Sequence, residues 1–390
     1  MAVPLVYNIR SVKVRWISNL VAVLGIAGVV SVFVGMFSMA KGFQATLVES
    51  GLPDNVMVRR GGATSEMDSV VTLNEVKAIS DAPGIARNKD GRPLISPEMA
   101  VVASFRHKAS KTDALAQVRG VTESALEIHR NVKILKGRFL KAGLAELVVG
   151  TGAEKMYDGL TLGSTPRFGG QTWTVVGIID AGGSAFDSEI WCDLVVLNQT
   201  YKRPENFFSS LTLRLDQGAD FTKFKDDLSS DPRLNVQTER EVDYYRKQSL
   251  GMSMMIQVLG FLVSFVMGIG AIFGAFNTMY SAVSARSREI GTLRALGFGG
   301  PAVIFSMLFE SVLISLIGGV LGCVVVLPLH GLTTSTLNFQ TFSQVAFAFR
   351  ITSDLLLSGL IFAVVMGFVG GILPALRAAR LPIATALREL

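Results

Sequence analysis

The sequence is short of the residues that usually carry chemistry. Its 390 residues hold three histidines, His107, His129 and His330, and two cysteines, Cys192 and Cys323. The histidines show no metal-ligand spacing and read as ordinary surface or loop residues. Cys323 falls in an apolar run and Cys192 in a polar region, so no internal disulfide is expected and the redox compartment stays open. No G-x-x-x-x-G-K-[ST] loop is present, which excludes ATP binding by that device, and there is no G-x-S-x-G elbow or H-E-x-x-H pair. The carboxylate pairs Asp226-Asp227 and Asp187/Glu189 read as solvated surface. Long apolar runs carry almost no charge, Glu310 being the one ionisable residue set into them. Transport of ions or polar solutes usually needs polar groups at mid-membrane, so no polar corridor is expected.

What is present is apolar mass. The chain is 49% apolar with mean hydropathy +0.44, too apolar for an ordinary soluble protein and too polar for a wholly embedded one. Its formal net charge of +6 is not a nucleic-acid signature. From Lys41 to Lys247 there are 27 basic and 27 acidic residues; the remaining 10 basic and 4 acidic residues flank the apolar runs.

In order, residues 1–16 predict an interfacial helix with Arg10, Lys13 and Arg15 and no acid. Residues 17–50 give a first span, uncharged from Ile17 to Ala40, with an extension towards Gly51. That uncharged stretch is long enough for a hydrocarbon layer of about 30 Å and too long for a cleaved signal. Residues 243–285 give the second span, whose apolar part is again longer than a bilayer needs. The two extensions are expected to form a stalk. Spans three and four follow at 301–330 and 351–376, joined by a loop at 331–350. Ile351 to Asp354 predict a capping cluster, and Pro374 should break the fourth span.

Residues 51–242 predict a soluble domain with its own core. Strands are expected near Asn55–Arg59, Leu94–Ile95, Ala100–Phe105, Ser209–Leu215 and Leu234–Thr238, with helices at Leu73–Ser80 and Phe221–Ser230. Segments 51–119 and 202–242 thus make a split βαβ unit. Between them, 120–201 reads as a mostly-β insertion, with Glu146–Val149, Thr172–Ile179 and Leu194–Leu197 as apolar or β-branched runs between glycine turns. The fold class is therefore an α-helical membrane protein with four transmembrane helices and an inserted extracytoplasmic α+β domain.

The segment 286–300 stands between two spans and cannot lie in hydrocarbon. Ile290, Leu293 and Leu296 recur every third residue and read as the apolar face of a helix, with Arg286, Arg288, Glu289 and Arg294 around them. Such a helix suits insertion into a partner's groove. Glu310 is expected to pair with an arginine of this segment. Gly270/Gly274, Gly318/Gly322 and Gly367/Gly371 form G-x-x-x-G pairs, expected to pack helices closely within a subunit or across a dimer. Nine of the 10 basic residues outside the soluble region lie in the amino terminus, the 286–294 segment and the tail from 377 to 390. The positive-inside rule then puts both termini and the segment in the cytosol and the soluble domain outside.

The run NTMYSAVSARSREIGTLRALGF (Asn277–Phe298) and the tail GGILPALRAARLPIATALREL (Gly370–Leu390) resemble the permease subunits of the MacB/FtsX/LolC-E type of ABC transporter. The resemblance extends over essentially the whole chain. It implies a non-catalytic inner-membrane subunit, driven by a separate cytosolic ABC ATPase that holds the ATP and Mg, with no cofactor in this chain. It also implies a second permease copy, and it makes Arg288, Glu289 and Arg294 candidates for ATPase contact. In this family ATP turnover moves the periplasmic domain through the stalk. The soluble domain is nearer MacB size than FtsX size, which favours export of a periplasmic or membrane-derived substrate with a periplasmic adaptor. The alternatives are an FtsX-like scaffold that activates an extracellular enzyme, and a lipoprotein-releasing permease. Membrane lipid is a further expected partner and nucleic acid is not.

Overall fold

The computed structural model describes residues 16–382. The expected interfacial helix at 1–16, all but its last residue, and the tail beyond 382, with Arg388, lie outside the described residues. The chain divides into two compact units. One comprises residues up to Lys41, Met254–Leu332 and residues from Phe349 on; the other comprises Gly42–Ser253 and Thr333–Ala348.

Four helices are long and apolar enough to cross a membrane: α1 (Trp16–Val48), α4 (Glu241–Ala285), α6 (Gly300–Val326) and α7 (Ser353–Arg380). One departs from both of its expected ends. α7 runs through Pro374 to Arg380 rather than stopping there. A proline removes one backbone donor and bends a helix, but neighbouring helices can hold the turn together. Nor does a side chain cap its start: the hydroxyl of Thr352 accepts from Lys41 Nζ at 3.0 Å. The division between the two units falls inside α1 and α4, both of which are unbroken. At 45 residues α4 is about 67 Å long, over twice the hydrocarbon thickness.

The second unit is built on nine strands: β1 (Asn55–Arg60), β2 (Ile95–Arg106), β3 (Asp113–Val121), β4 (Lys133–Gly137), β5 (Glu146–Gly150), β6 (Thr174–Asp180), β7 (Ile190–Asp193), β8 (Ser210–Arg214) and β9 (Val236–Arg240). Their order is β9-β1-β8-β2-β3-β7-β5-β6-β4. The first four are antiparallel neighbours. With α2 (Leu73–Ser80) between β1 and β2, and α3 (Phe221–Ser230) between β8 and β9, they form two interleaved split βαβ units of the ferredoxin-like type. α2 is held by a capping box between Thr72 and Glu75, the sequence-local reason it starts there.

The expected boundary at residue 120 is not a break. β2 is one strand of 12 residues, not two short ones. Its Ile95–Glu98 stretch pairs with β8 and its Met99–Arg106 stretch with β3, so the seam between the two halves lies at Glu98/Met99. Pro97, which reads as a strand interruption, sits just before this change of partner. One apolar core runs beneath both halves, from Val58 and Leu213 to Val118, Trp173 and Ile190. Leu194–Thr200 is a helix rather than a strand, because the Asp193 carboxylate accepts from the amides of Val195 and Val196 and caps it. The expected loop at 331–350 contains a hairpin, β10 (Thr333–Asn338) and β11 (Ser343–Ala348). It belongs to the second unit: the Ala346 amide donates to Ser188 Oγ at 2.8 Å, and Phe347 meets Phe43 edge-on.

Charge is buried at the centre of this unit, contrary to the surface reading of His129 and of Asp187/Glu189. The Arg119 guanidinium is fully enclosed and donates to Glu66, Glu98 and Glu189 at 2.7–3.1 Å. His129 Nε2 lies 2.8 Å from Glu98, and its Nδ1 faces Glu241, the first residue of α4, at 3.5 Å. Glu241 in turn accepts from the Leu52 amide and from Asn55 Nδ2, each at 2.9 Å. Burial pulls the His129 pKa down, but Glu98 and Glu241 outweigh it and the result lies above 6.5. Burial pushes Glu98 up, but His129 and Arg119 bring it down to about 2. The Glu98–His129 pair is thus held charged, while burial leaves Glu241 above its ordinary value.

The sign of the pH dependence follows. His129, raised on folding, adds stability that is full below its unfolded pKa of about 6.5 and is lost as pH rises through the folded value. Glu98, lowered on folding, adds stability above about 4.5 that is lost as pH falls towards 2. The melting temperature of the purified chain, followed by fluorescence of the buried Trp191, will fall as pH rises above about 6.5, and His129→Gln will flatten that slope. A slope unchanged by the substitution would contradict the charged pair.

Candidate coupling site

α4 ends at Ala285, and α5 (Ser287–Ala295) starts after a break at Arg286, whose φ of −117° is outside the helical range. α5 ends in a Schellman turn: Gly297 takes φ +96°, the Gly297 amide donates to Arg294 O, and the Phe298 amide donates to Leu293 O. Only glycine takes that conformation without cost. Gly299 then caps α6, with Pro301 in its first turn.

Arg286 and Glu310 make the site's central contact. Both are buried, and Arg286 Nη1 donates to Glu310 Oε2 at 2.9 Å while its Nε donates to Glu289 at 3.0 Å. The expected pairing of Glu310 with this segment is therefore present, and Arg286 is its partner. An ion pair withdrawn from water persists only when the geometry is good and the remaining hydrogen-bonding atoms are satisfied. The pair thus ties the break between α4 and α5 to α6.

The expected apolar docking stripe is not one face. Ile290 is 2% exposed and packs with Met279, Val283, Val303 and Ala378. Leu293 is half-buried, and Leu296 is 69% exposed. Three residues turn an α-helix by about 300°, so each three-residue step falls back by about 60°. Two steps carry Leu296 about 120° away from Ile290. The exposed residues of α5 and its C-cap are Arg288, Glu289, Thr292, Ala295 and Leu296. Arg294 is turned to the chain itself, its Nη1 donating to Leu381 O at 2.7 Å. Nearby, Arg377 stacks on the Tyr280 ring at 4.1 Å.

The glycine pairs divide in the same way. A side chain at Gly322 would fall 2.6 Å from Ala27 O, and one at Gly318 would fall 2.8 Å from Val23 O, so α6 and α1 touch through their backbones. Gly367 and Gly371 face Ser315 and Ser311 of α6 equally closely. Gly270 and Gly274 have nothing within 4 Å among the described residues. They lie on α4, whose apolar window is 22% buried against 39–44% for the other three spans.

The candidate site thus consists of a buried ion pair, a short exposed helix and close-packed spans. Among the described residues no cluster of His, Cys, Asp or Glu could hold a metal ion. The family description "MacB-like periplasmic core domain" matches residues 20–230, and "FtsX-like permease C-terminal" matches residues 261–383. This chain belongs to the MacB-like ABC transporter permeases. The MacB-like core spans α1 and most of the second unit, the head of the molecule; the FtsX-like region holds α5, α6, α7 and most of α4. Among relatives, the uncharacterized ABC transporter permease YknZ of Bacillus subtilis is 23% identical over 337 residues, 82% of this chain and 80% of that one. The macrolide export ATP-binding/permease protein MacB of Vibrio parahaemolyticus is 24% identical over 94% of this chain, which spans only 56% of that relative's length. The crystal structure of the periplasmic region of MacB from Actinobacillus actinomycetemcomitans overlaps 50% of this chain and 92% of its own, at 11% identity and a TM-score of 0.38.

His129 and its carboxylates were not legible as a site, because none is near another in sequence. The only local signal is that Glu66, Glu98, Arg119 and Glu189 fall within or beside apolar, strand-forming residues.

Arg286→Met and Glu310→Met will each destabilise the detergent-purified chain, by up to about 3–5 kcal/mol, since each removes one partner of a buried ion pair; the contact of Arg286 with Glu289 softens the second loss. The double variant Arg286→Met/Glu310→Met will recover much of that loss in a thermal double-mutant cycle. Strictly additive losses would show that the pair is not coupled.

Proposed function

We propose that this MacB-like permease is driven by an ABC ATPase on a separate chain and passes the work of ATP hydrolysis to its head without opening a path through the membrane. The observation that carries this reading is the continuity of α1 and α4, each of which belongs to both compact units. Rigid helices transmit displacement along their length, whereas a polar corridor would need intramembrane polar groups that these spans do not supply. In this reading α5 lies in the cytosol with both termini, in the inner membrane, and receives the ATPase through Arg288, Glu289 and Leu296. The Arg286–Glu310 pair passes that load to α4 and α6. The cargo is a periplasmic or membrane-derived molecule, by analogy with the macrolide export named for MacB, and a periplasmic adaptor would carry it onward. A second copy packs through the exposed glycine face of α4, and lipid covers the remaining apolar surface.

The FtsX-like match supports a second reading, in which the same motion activates an extracellular enzyme and no cargo moves. Both readings share the coupling step. In a reconstituted complex with the cognate ATPase, Leu296→Asp and Arg288→Glu will reduce ATPase binding and stimulated hydrolysis at least tenfold while leaving the permease folded. Ile290→Asp will instead unfold the cytosolic end by burying a charge. Stimulation unchanged by both surface substitutions would remove α5 as the docking element.

A further inference from the structure

The second unit contains a cleft of about 440 Å³ between the β10–β11 hairpin and the loops beside β5 and β6, a volume that suits a small organic molecule. We infer that this cleft binds an anionic amphiphile: a carboxylate, sulfonate or phosphate head on an apolar body. The inference does not rest on the coupling mechanism.

The walls have two characters. Met156, Phe347 and the methyl groups of Ala346 and Ala348 form an apolar side. Lys108 and Lys155 bring positive charge, and neither forms an ion pair among the described residues. Lys108 is held in place by donating to Glu154 O at 2.7 Å. His107 Nδ1 accepts from the Ala109 amide at 3.2 Å, which leaves the proton on Nε2 as a further donor. The single acid lining the cleft, Asp187, is already committed. Its carboxylate accepts from the amides of Ala181 and Gly183 at 2.7 and 2.8 Å and from Thr151 Oγ1 at 3.1 Å. What faces a ligand is therefore net positive.

An independent observation points the same way. Ser184 lines the cleft and is 1% exposed, yet among the described residues its hydroxyl has no hydrogen-bond partner. A buried hydroxyl left unpaired carries an uncompensated desolvation cost, which a ligand oxygen reaching Ser184 would relieve. Charge-assisted bonds from lysine to an oxyanion would add the larger share of affinity, and the apolar wall would select against inorganic phosphate.

The test uses the full chain in phosphatidylcholine nanodiscs, with 1-naphthyl phosphate as the probe, followed by equilibrium dialysis. Saturable binding is expected, at least tenfold tighter than for 1-naphthol. Lys155→Glu should weaken it at least tenfold, and Ala109→Trp, which fills the cleft from an exposed loop position, should abolish it. Ser184→Ala, which leaves no buried group unpaired and so preserves the fold, should weaken it several-fold. Bound probe should slow amide exchange in residues 333–348. Displacement by phosphatidylglycerol added to the disc would identify a lipid headgroup as the source of the anion, and no displacement would identify a free anion; either supports the site. Unsaturable binding, equal affinity for naphthol, or affinity unchanged in all three variants would overturn it.

Discussion

A charge that this chain withdraws from water needs an opposite charge or a close set of hydrogen bonds, and the rest of the structure is arranged around two places where opposite charges meet. Taking an ionised group into a low-dielectric interior costs several kcal/mol, and only close, well-bonded partners offset it. At one place, Arg119 and His129 sit among four glutamates, the last of them the first residue of α4. At the other, Arg286, the residue after α4, meets Glu310. The longest helix of the molecule is thus pinned by ion pairs just at its ends, and its apolar length carries no charge between Lys247 and Arg286.

In the function proposed above, that placement suits transmission. Apolar contacts along a helix are interchangeable and allow sliding, since side chains of similar volume pack almost equally well. A buried ion pair is not interchangeable: displacing one partner strands the other. Load applied at α5 would reach α4 and α6 through Arg286 and Glu310 before any apolar contact yields. The close backbone approach of α6 to α1 and α7, enforced by Gly318, Gly322, Gly367 and Gly371, adds stiffness on the same side of the chain's packing. The α4 face bearing Gly270 and Gly274 contributes nothing to that packing among the described residues.

Much of this was legible in the sequence, and the failures have definite causes. Charge-free length gives the spans, and α2 and α3 follow from apolar spacing with Thr72 and Asp220 as caps. The sequence ends the fourth span near Pro374, because a rule about isolated helices does not see the neighbours that support the turn. Leu194–Leu197 reads as a strand because β-branched Val195 and Val196 outweigh the cap at Asp193. The hairpin at 333–348 is not legible because its alternation is weak and Gly331, the one glycine of the 331–350 segment, lies outside the turn. Ile290, Leu293 and Leu296 were grouped by a period of three, which approximates 3.6 only over one turn. The Arg119 network could not have been read at all, since Glu66, Glu98, Arg119, His129, Glu189 and Glu241 are brought together only by the sheet and the long-range return of the chain.

The most direct test of the account is to break α4 between Ser253 and Met254 with a Gly-Ser-Gly-Ser insertion, in the complex with its ATPase. A spin label at Lys247, on the head side of the insertion, reports motion by electron paramagnetic resonance. The account predicts a nucleotide-dependent spectral change in the uninterrupted chain that disappears on insertion while ATP hydrolysis persists. A change of the same size in the interrupted chain would contradict it.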